Sequence, residues 1–147
     1  RNGLLITPWY GPRIRISKVL TNLPLVPDKP INIGVKRMCE VCGKCAEACP
    51  GRAISHDDPT TEGPTLSNNH GIYKWYINPE RCFQFWVRNR GDCANCIRVC
   101  VFNKPDTPLH RFVRWHVKNL PRFDNIYLWM DDLFGYGKKI KMEDVWK

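Results

Sequence analysis

The 147-residue sequence has no cysteine in positions 1–38 and none in 101–147. It has no apolar run approaching the roughly 18 residues that cross a bilayer, which excludes a helical span within these residues. It has no repeat at solenoid period and no low-complexity tract, so arrays and biased tracts are excluded as well. Histidine is scarce. The four present, His56, His70, His110 and His116, do not pair at metal-motif spacing with each other or with a carboxylate. Acid is also in short supply, with 14 Asp+Glu against 23 Lys+Arg and a formal charge of +9. The Lys and Arg are spread along the chain without an aromatic-interleaved RNA motif, so no nucleic-acid partner is expected. The sequence opens at Arg1 with no Met and no charged-then-apolar leader. It reads as a fragment whose N-terminal part is missing, and its compartment is not legible from that start. At 43% hydrophobic and 25% charged, the composition is that of a folded domain and not of a disordered chain.

What is abundant is cysteine, and it is local. All eight lie between Cys39 and Cys100. The first group, CEVCGKCAEACP, spaces Cys39, Cys42, Cys45 and Cys49 by two, two and three residues and then places Pro50. This is the run that holds [4Fe–4S] clusters in bacterial ferredoxins, where the fourth cysteine serves the other cluster. Two-residue gaps let three thiolates converge on one cubane from a tight loop. Small and polar residues between them let backbone N–H groups approach the sulfurs, and Gly43 is expected to help the loop wrap closely. The second group is Cys82, a ten-residue gap, then CANCIRVC with Cys93, Cys96 and Cys100; Val101 stands where Pro50 stands in the first. Read as a pseudo-repeat, the ligation crosses over. One [4Fe–4S] cluster takes Cys39, Cys42, Cys45 and Cys100, and the other takes Cys82, Cys93, Cys96 and Cys49. Eight thiolates and two oxidised cubanes would leave the loaded chain near about +5, so part of the basic excess offsets the clusters. Two alternatives fit less well. A disulfide framework would need bridges between cysteines two residues apart on a helix. Zinc motifs usually space their C-x2-C pairs well apart.

The rest of the chain brackets this module. Residues 3–7 and 13–21 read as short strands on either side of a WYGP turn, and 24–34, with three prolines, as an extended linker. Two strands alone make no stable core, so the rest of a sheet is expected upstream. Residues 51–71 read as a loop and 73–77 as a short strand. Leu109, Phe112, Val113, His116, Val117 and Leu120 follow helical spacing up to Pro121, and Ile126, Trp129, Met130, Leu133 and Phe134 mark a second helix ending near Gly135. His116 is expected in a core or interface. Asp131 and Asp132 are expected as solvent-exposed or capping charges, and 135–147 as an irregular, partly basic tail. The aromatic string Tyr73, Trp75, Tyr76, Phe83, Phe85 and Trp86 reads as a hydrophobic jacket around the clusters, or as a wall of an apolar pocket.

Several segments together carry a family resemblance: RNGLLITPWYGPRIR, CEVCGKCAEACPGRAIS, NNHG with YKWY and INPERCFQFW, GDCANCIRVCVFNK, and WMDDLFGYGKK. Over nearly its whole length the sequence resembles the C-terminal part of corrinoid-dependent reductive dehalogenases. The resemblance implies an α+β fold: a bacterial dicluster ferredoxin-like module flanked by part of a nitroreductase-like corrinoid-binding domain. Residues 1–35 would be a piece of that domain, 36–105 the two-cluster module and 106–147 a helical extension. It implies two [4Fe–4S] clusters that pass electrons to a corrinoid, which removes halide from an organohalide substrate. It also implies a membrane-associated electron donor or anchor protein, and a place on the outer face of the cytoplasmic membrane. Trp75 and Tyr76 become candidates for the substrate or corrinoid pocket. No residue here matches the family's catalytic Tyr, and Tyr10, in a turn, is not promoted to it. An epoxyqueuosine reductase-like tRNA-modification enzyme lacks the DDLFGYGK-like end. A stand-alone dicluster ferredoxin would need neither the 38 residues before Cys39 nor the two-helix tail.

Overall fold

A computed structural model describes residues 1–141. Its elements are α1 (Val35–Cys42), α2 (Lys44–Glu47), α3 (Pro79–Asn89), α4 (Asn95–Arg98), α5 (Pro108–Asn119), a 3-10 turn (Pro121–Phe123) and α6 (Asp124–Leu133).

The longer helices start and stop where local chemistry dictates. The Asn78 side chain accepts the Arg81 N–H at 2.9 Å, and Pro79 follows at the first helical position of α3. Thr107 and Pro108 open α5 in the same way. Leu120 precedes Pro121 and leaves the helical region, as a residue before proline tends to do, and α5 ends there. Gly135, at φ 73°, turns the chain after α6.

The core is small and lies beside the first cysteines. Met38, Phe102 and Val117 are buried, with Ile6, Ile33, Val35, Cys100, Val101, Val113, Tyr127 and Leu128 packed around them. Met38 precedes Cys39, and Phe102 follows Cys100 by two residues. The apolar stripes of α5 and α6 therefore press on the two ends of the cysteine region. Arg37 joins α1 to the start of α6 through Asp124, at 2.7 Å.

The expected strands do not form. Among the described residues the only β pairing is three isolated antiparallel bridges, Thr7 with Gly11, Ile54 with Ile77 and Thr60 with Lys74. Residues 3–7 contribute one bridge, which closes the WYGP turn. Residues 13–21 are irregular, and Val19 and Leu20 are 85% and 99% exposed. A strand needs a partner for its N–H and C=O groups, and no described segment runs beside this one. Residues 73–77 pair only at Lys74 and Ile77, with segments that do not continue alongside. The described residues are thus helix and coil. The expected tail from 135 onward is irregular as far as 141, and residues 142–147 lie outside the described ones.

Candidate metal centre

The two cysteine groups end in near copies of one turn, while Cys82 lies on α3 and Cys93 in the coil before α4. Cys39 and Cys42 lie on one face of α1, Cys45 on α2, and Cys49 just beyond the α2 cap. In the second group Cys96 lies on α4 and Cys100 just beyond its cap. The caps match: Ala48 has φ −82° and ψ −5°, and Val99 has φ −80° and ψ −4°. The Cys49 N–H donates to the Ala46 carbonyl and the Cys100 N–H to the Ile97 carbonyl, both at 3.2 Å. α2 and α4 pack against each other. Gly43 joins α1 to α2 at φ 64°, and a Cβ there would meet only Glu47, at 3.7 Å. The left-handed backbone there is one that glycine adopts without strain.

This repeat brings distant thiols together. Burial pushes the Cys100 thiol up to about 12, the Phe102 N–H opposes the shift, and the charges of Cys39, Cys42 and Cys45 add to it. Burial likewise pushes Cys42 up to about 11, opposed by the Lys44 N–H and ammonium and assisted by Cys39 and Cys45. Cys96 is pushed up to about 11 by burial, then by Cys93, Cys45, Cys49 and Cys82. Cys82 is raised by burial, then by Cys49 and Cys93. Each quartet thus includes a cysteine from the other group: Cys100 beside the first three, and Cys49 beside Cys82, Cys93 and Cys96. Cys45 acts on both Cys100 and Cys96, so the quartets are neighbours. The Cys49 sulfur also accepts the Ala53 N–H at 3.2 Å.

The donor set suits iron–sulfur clusters. Eight thiols are unbridged and half-buried. Thiols that raise one another's pKa are those a cationic centre would deprotonate and hold. Among the described residues no three Cys, His, Asp or Glu side chains are arranged to hold a single metal ion. Zinc, with Zn–S near 2.3 Å, would draw its sulfurs to within about 4 Å of each other.

The other predicted residues fall into two kinds. Trp75 and Tyr76 are buried, and their polar atoms tie down the 51–72 loop. The Trp75 indole N–H donates to the Asp57 carbonyl at 3.1 Å. The Tyr76 hydroxyl accepts the Ile72 N–H and lies 3.0 Å from the carbonyl oxygens of Asn69 and Ile72. Tyr73, Phe83 and Trp86 are exposed, so the aromatic string is not a closed jacket within this chain. His116 lies half-buried between Phe112 and Trp115, and its Nδ1 meets the Tyr127 hydroxyl.

Asp131 corrects the sequence reading. It is buried, not solvent-exposed. One carboxylate oxygen takes the Lys44 ammonium at 2.7 Å and the other takes Lys104 at 2.5 Å. Asp132, which is exposed, also meets Lys44, at 2.6 Å. Lys44 lies in the loop between Cys42 and Cys45, so α6 is fastened to the cysteine loop itself. The available signal was helical spacing: Asp124, Leu128 and Asp131 share one face of α6.

Comparison with known proteins agrees with this geometry. Residues 38–104 match the model of the 4Fe-4S dicluster domain family. Over 99% of its length the chain is 42% identical to the tetrachloroethene reductive dehalogenase of Sulfurospirillum multivorans, covering 29% of that protein. Over 98% of its length it is 43% identical to the tetrachloroethene reductive dehalogenase of Desulfitobacterium hafniense, covering 27% of it. A solved reductive dehalogenase structure, described in terms of B12-dependent dehalogenation, superposes with a TM-score of 0.77 at 31% identity, over 92% of this chain and 19% of that one. The chain therefore spans under a third of the length of these relatives.

Proposed function

Because the chain is homologous to part of the reductive dehalogenases and carries their dicluster domain, we propose that it is the electron-relay part of such an enzyme, serving a corrinoid that reductively removes halide from an organohalide. The observation that carries the reading is the pair of thiol quartets. Cys39, Cys42, Cys45 and Cys100 would hold one [4Fe–4S] cluster, and Cys82, Cys93, Cys96 and Cys49 the other. Bound there, the clusters supply one-electron transfer.

The chain's own residues hold and shield these sites. Gly43, at φ 64°, turns the chain between α1 and α2. The Lys44 N–H supports the Cys42 thiolate and the Phe102 N–H supports Cys100. Met38 and Phe102 keep water from the side facing α5 and α6. The exposed apolar side chains of 13–31, among them Ile16, Val19, Leu20, Leu25 and Val26, favour packing against further protein. That supports reading residues 1–35 as a piece of the flanking α+β, nitroreductase-like domain, with 106–147 as a helical extension. By the same family likeness, the electron donor is a membrane-associated protein, and the site of action is the outer face of the cytoplasmic membrane.

The test is made on anaerobically purified full-length protein. Iron and sulfide should each come to about eight per chain, with two interacting reduced centres by EPR. Cys100→Ser should remove the first-group cluster and Cys49→Ser the second-group cluster, each halving the iron. Stoichiometric zinc without sulfide overturns the relay, and loss of the opposite cluster in each variant overturns the crossed ligation.

A further inference from the structure

The two cysteine loops differ in one buried side chain. Lys44 precedes Cys45 as Asn95 precedes Cys96, and both are buried, at 8% and 5% exposure. Asn95 has a neutral side chain: its amide N–H donates to the Ile140 carbonyl, and its oxygen accepts the Ile140 N–H, both at 3.2 Å. Lys44 instead holds a cation in the same place, and α6 supplies two carboxylates to keep it there. Lys104 shares Asp131 and lies over the Tyr136 ring, 4.3 Å from its centroid.

A neutral amide anchors the second loop, so anchoring alone does not call for a charge. Burying an ammonium is costly unless it is paired, and here two carboxylates are committed to it. What the cation adds is a positive charge in a low-dielectric place beside the first quartet, where an added electron would reside. We propose that Lys44 is a positioning residue that raises the reduction potential of the cluster held by Cys39, Cys42, Cys45 and Cys100, with Asp131 and Asp132 fixing the ammonium and tempering its charge. The step concerned is uptake of one electron by that cluster from the donor, with no bond broken and no proton moved. The inference rests on the two-cluster reading above.

The experiment is an EPR-monitored redox titration of the full-length holoenzyme and its variants, with iron and sulfide counted on each sample. Lys44→Met should disfavour reduction of the first cluster by about tenfold or more, which is about 59 mV for one electron. Asp131→Asn and Asp132→Asn should each shift it the other way, and the second cluster should stay in place. A merely structural tie predicts shifts of one sign, or cluster loss, from both partners of the pair. A wild type without about eight iron refutes the two-cluster reading itself. Full iron with an unmoved or raised potential in Lys44→Met overturns the inference. If Lys44→Met sheds the first cluster, the decision passes to Asp132→Asn. Its side chain is 66% exposed and can be neutralised without stranding a buried charge. A potential that does not rise there also overturns the inference.

Discussion

Replacing Arg37 or Asp124 should have unequal costs, and the inequality follows from burial. Arg37 lies on α1, two residues before Cys39. Its Nε meets Asp124 Oδ2 at 2.7 Å, and a terminal N–H reaches Oδ1 at 3.2 Å. The same terminal nitrogen donates to the Val117 carbonyl at the end of α5. One side chain thus fastens three helices around the core. The Asp124 side chain is 7% exposed and that of Arg37 is 32% exposed. Arg37→Met leaves a carboxylate buried without its counter-charge, a lesion that typically costs about 3–5 kcal/mol. Because water already reaches part of the guanidinium, the low end applies: about 3 kcal/mol, or roughly 140-fold in the folding equilibrium. Asp124→Asn keeps an acceptor for the guanidinium and leaves the charge on the more exposed partner, so about 1 kcal/mol is expected. Urea unfolding at pH 7, followed by tryptophan fluorescence under anaerobic conditions, measures both as midpoint shifts at unchanged slope. Equal costs for the two variants, or a cost under about 1 kcal/mol for Arg37→Met, would refute the argument from burial.

Two further outcomes are expected. Tyr76→Phe removes the hydroxyl that gathers the Ile72 N–H and the carbonyl oxygens of the 61–72 loop. It should cost about 1–2 kcal/mol and speed proteolysis within 57–72, and wild-type cleavage rates would count against the role given to Tyr76. The Arg111 and Arg114 guanidiniums hold the Asp106 carboxyl down to about 2. Its folded pKa lies below its unfolded one, so its contribution is present above about pH 4 and is lost as the pH falls toward about 2. Carbon-13 NMR titration should place its midpoint below 3, and a midpoint near the ordinary value of 3.8 would show that the ion pairs are not formed.

The parts of the fold legible in the sequence are those set by local chemistry. Pro121 follows the end of α5, Gly135 follows α6, and the spacing of Phe112, Val113, His116 and Val117 marks a helix that the structure contains. Cysteine spacing led to the expectation of two ligand sets that exchange Cys49 and Cys100, and the structure places Cys100 within reach of Cys39, Cys42 and Cys45 and Cys49 within reach of Cys82 and Cys96. What was not legible depended on distant partners. The alternation of Arg13, Ile14, Arg15 and Ile16 is strand-like, but a strand is a pairing, and no described segment pairs with it. Asp131 and Asp132 read as a solvated pair because adjacent acids usually are. Only the placement of Lys44 and Lys104 beside α6 turns Asp131 inward.

The proposed ligation through Cys100 also implies an order of manufacture. A chain emerging from the ribosome presents Cys39, Cys42 and Cys45 early, as a three-sided holder open at one corner. Cys49 then waits for Cys82, Cys93 and Cys96, and Cys100 comes last. If the ligands are exchanged as proposed, neither holder can be filled by the stretch of chain that begins it, and the first to be started is the last to be closed. On that proposal the holder begun at Cys39 would be completed only after Cys100 is made, when Val101 and Phe102 can come down on Met38. A messenger truncated between Cys96 and Cys100 would yield one complete holder and one lacking its last thiol.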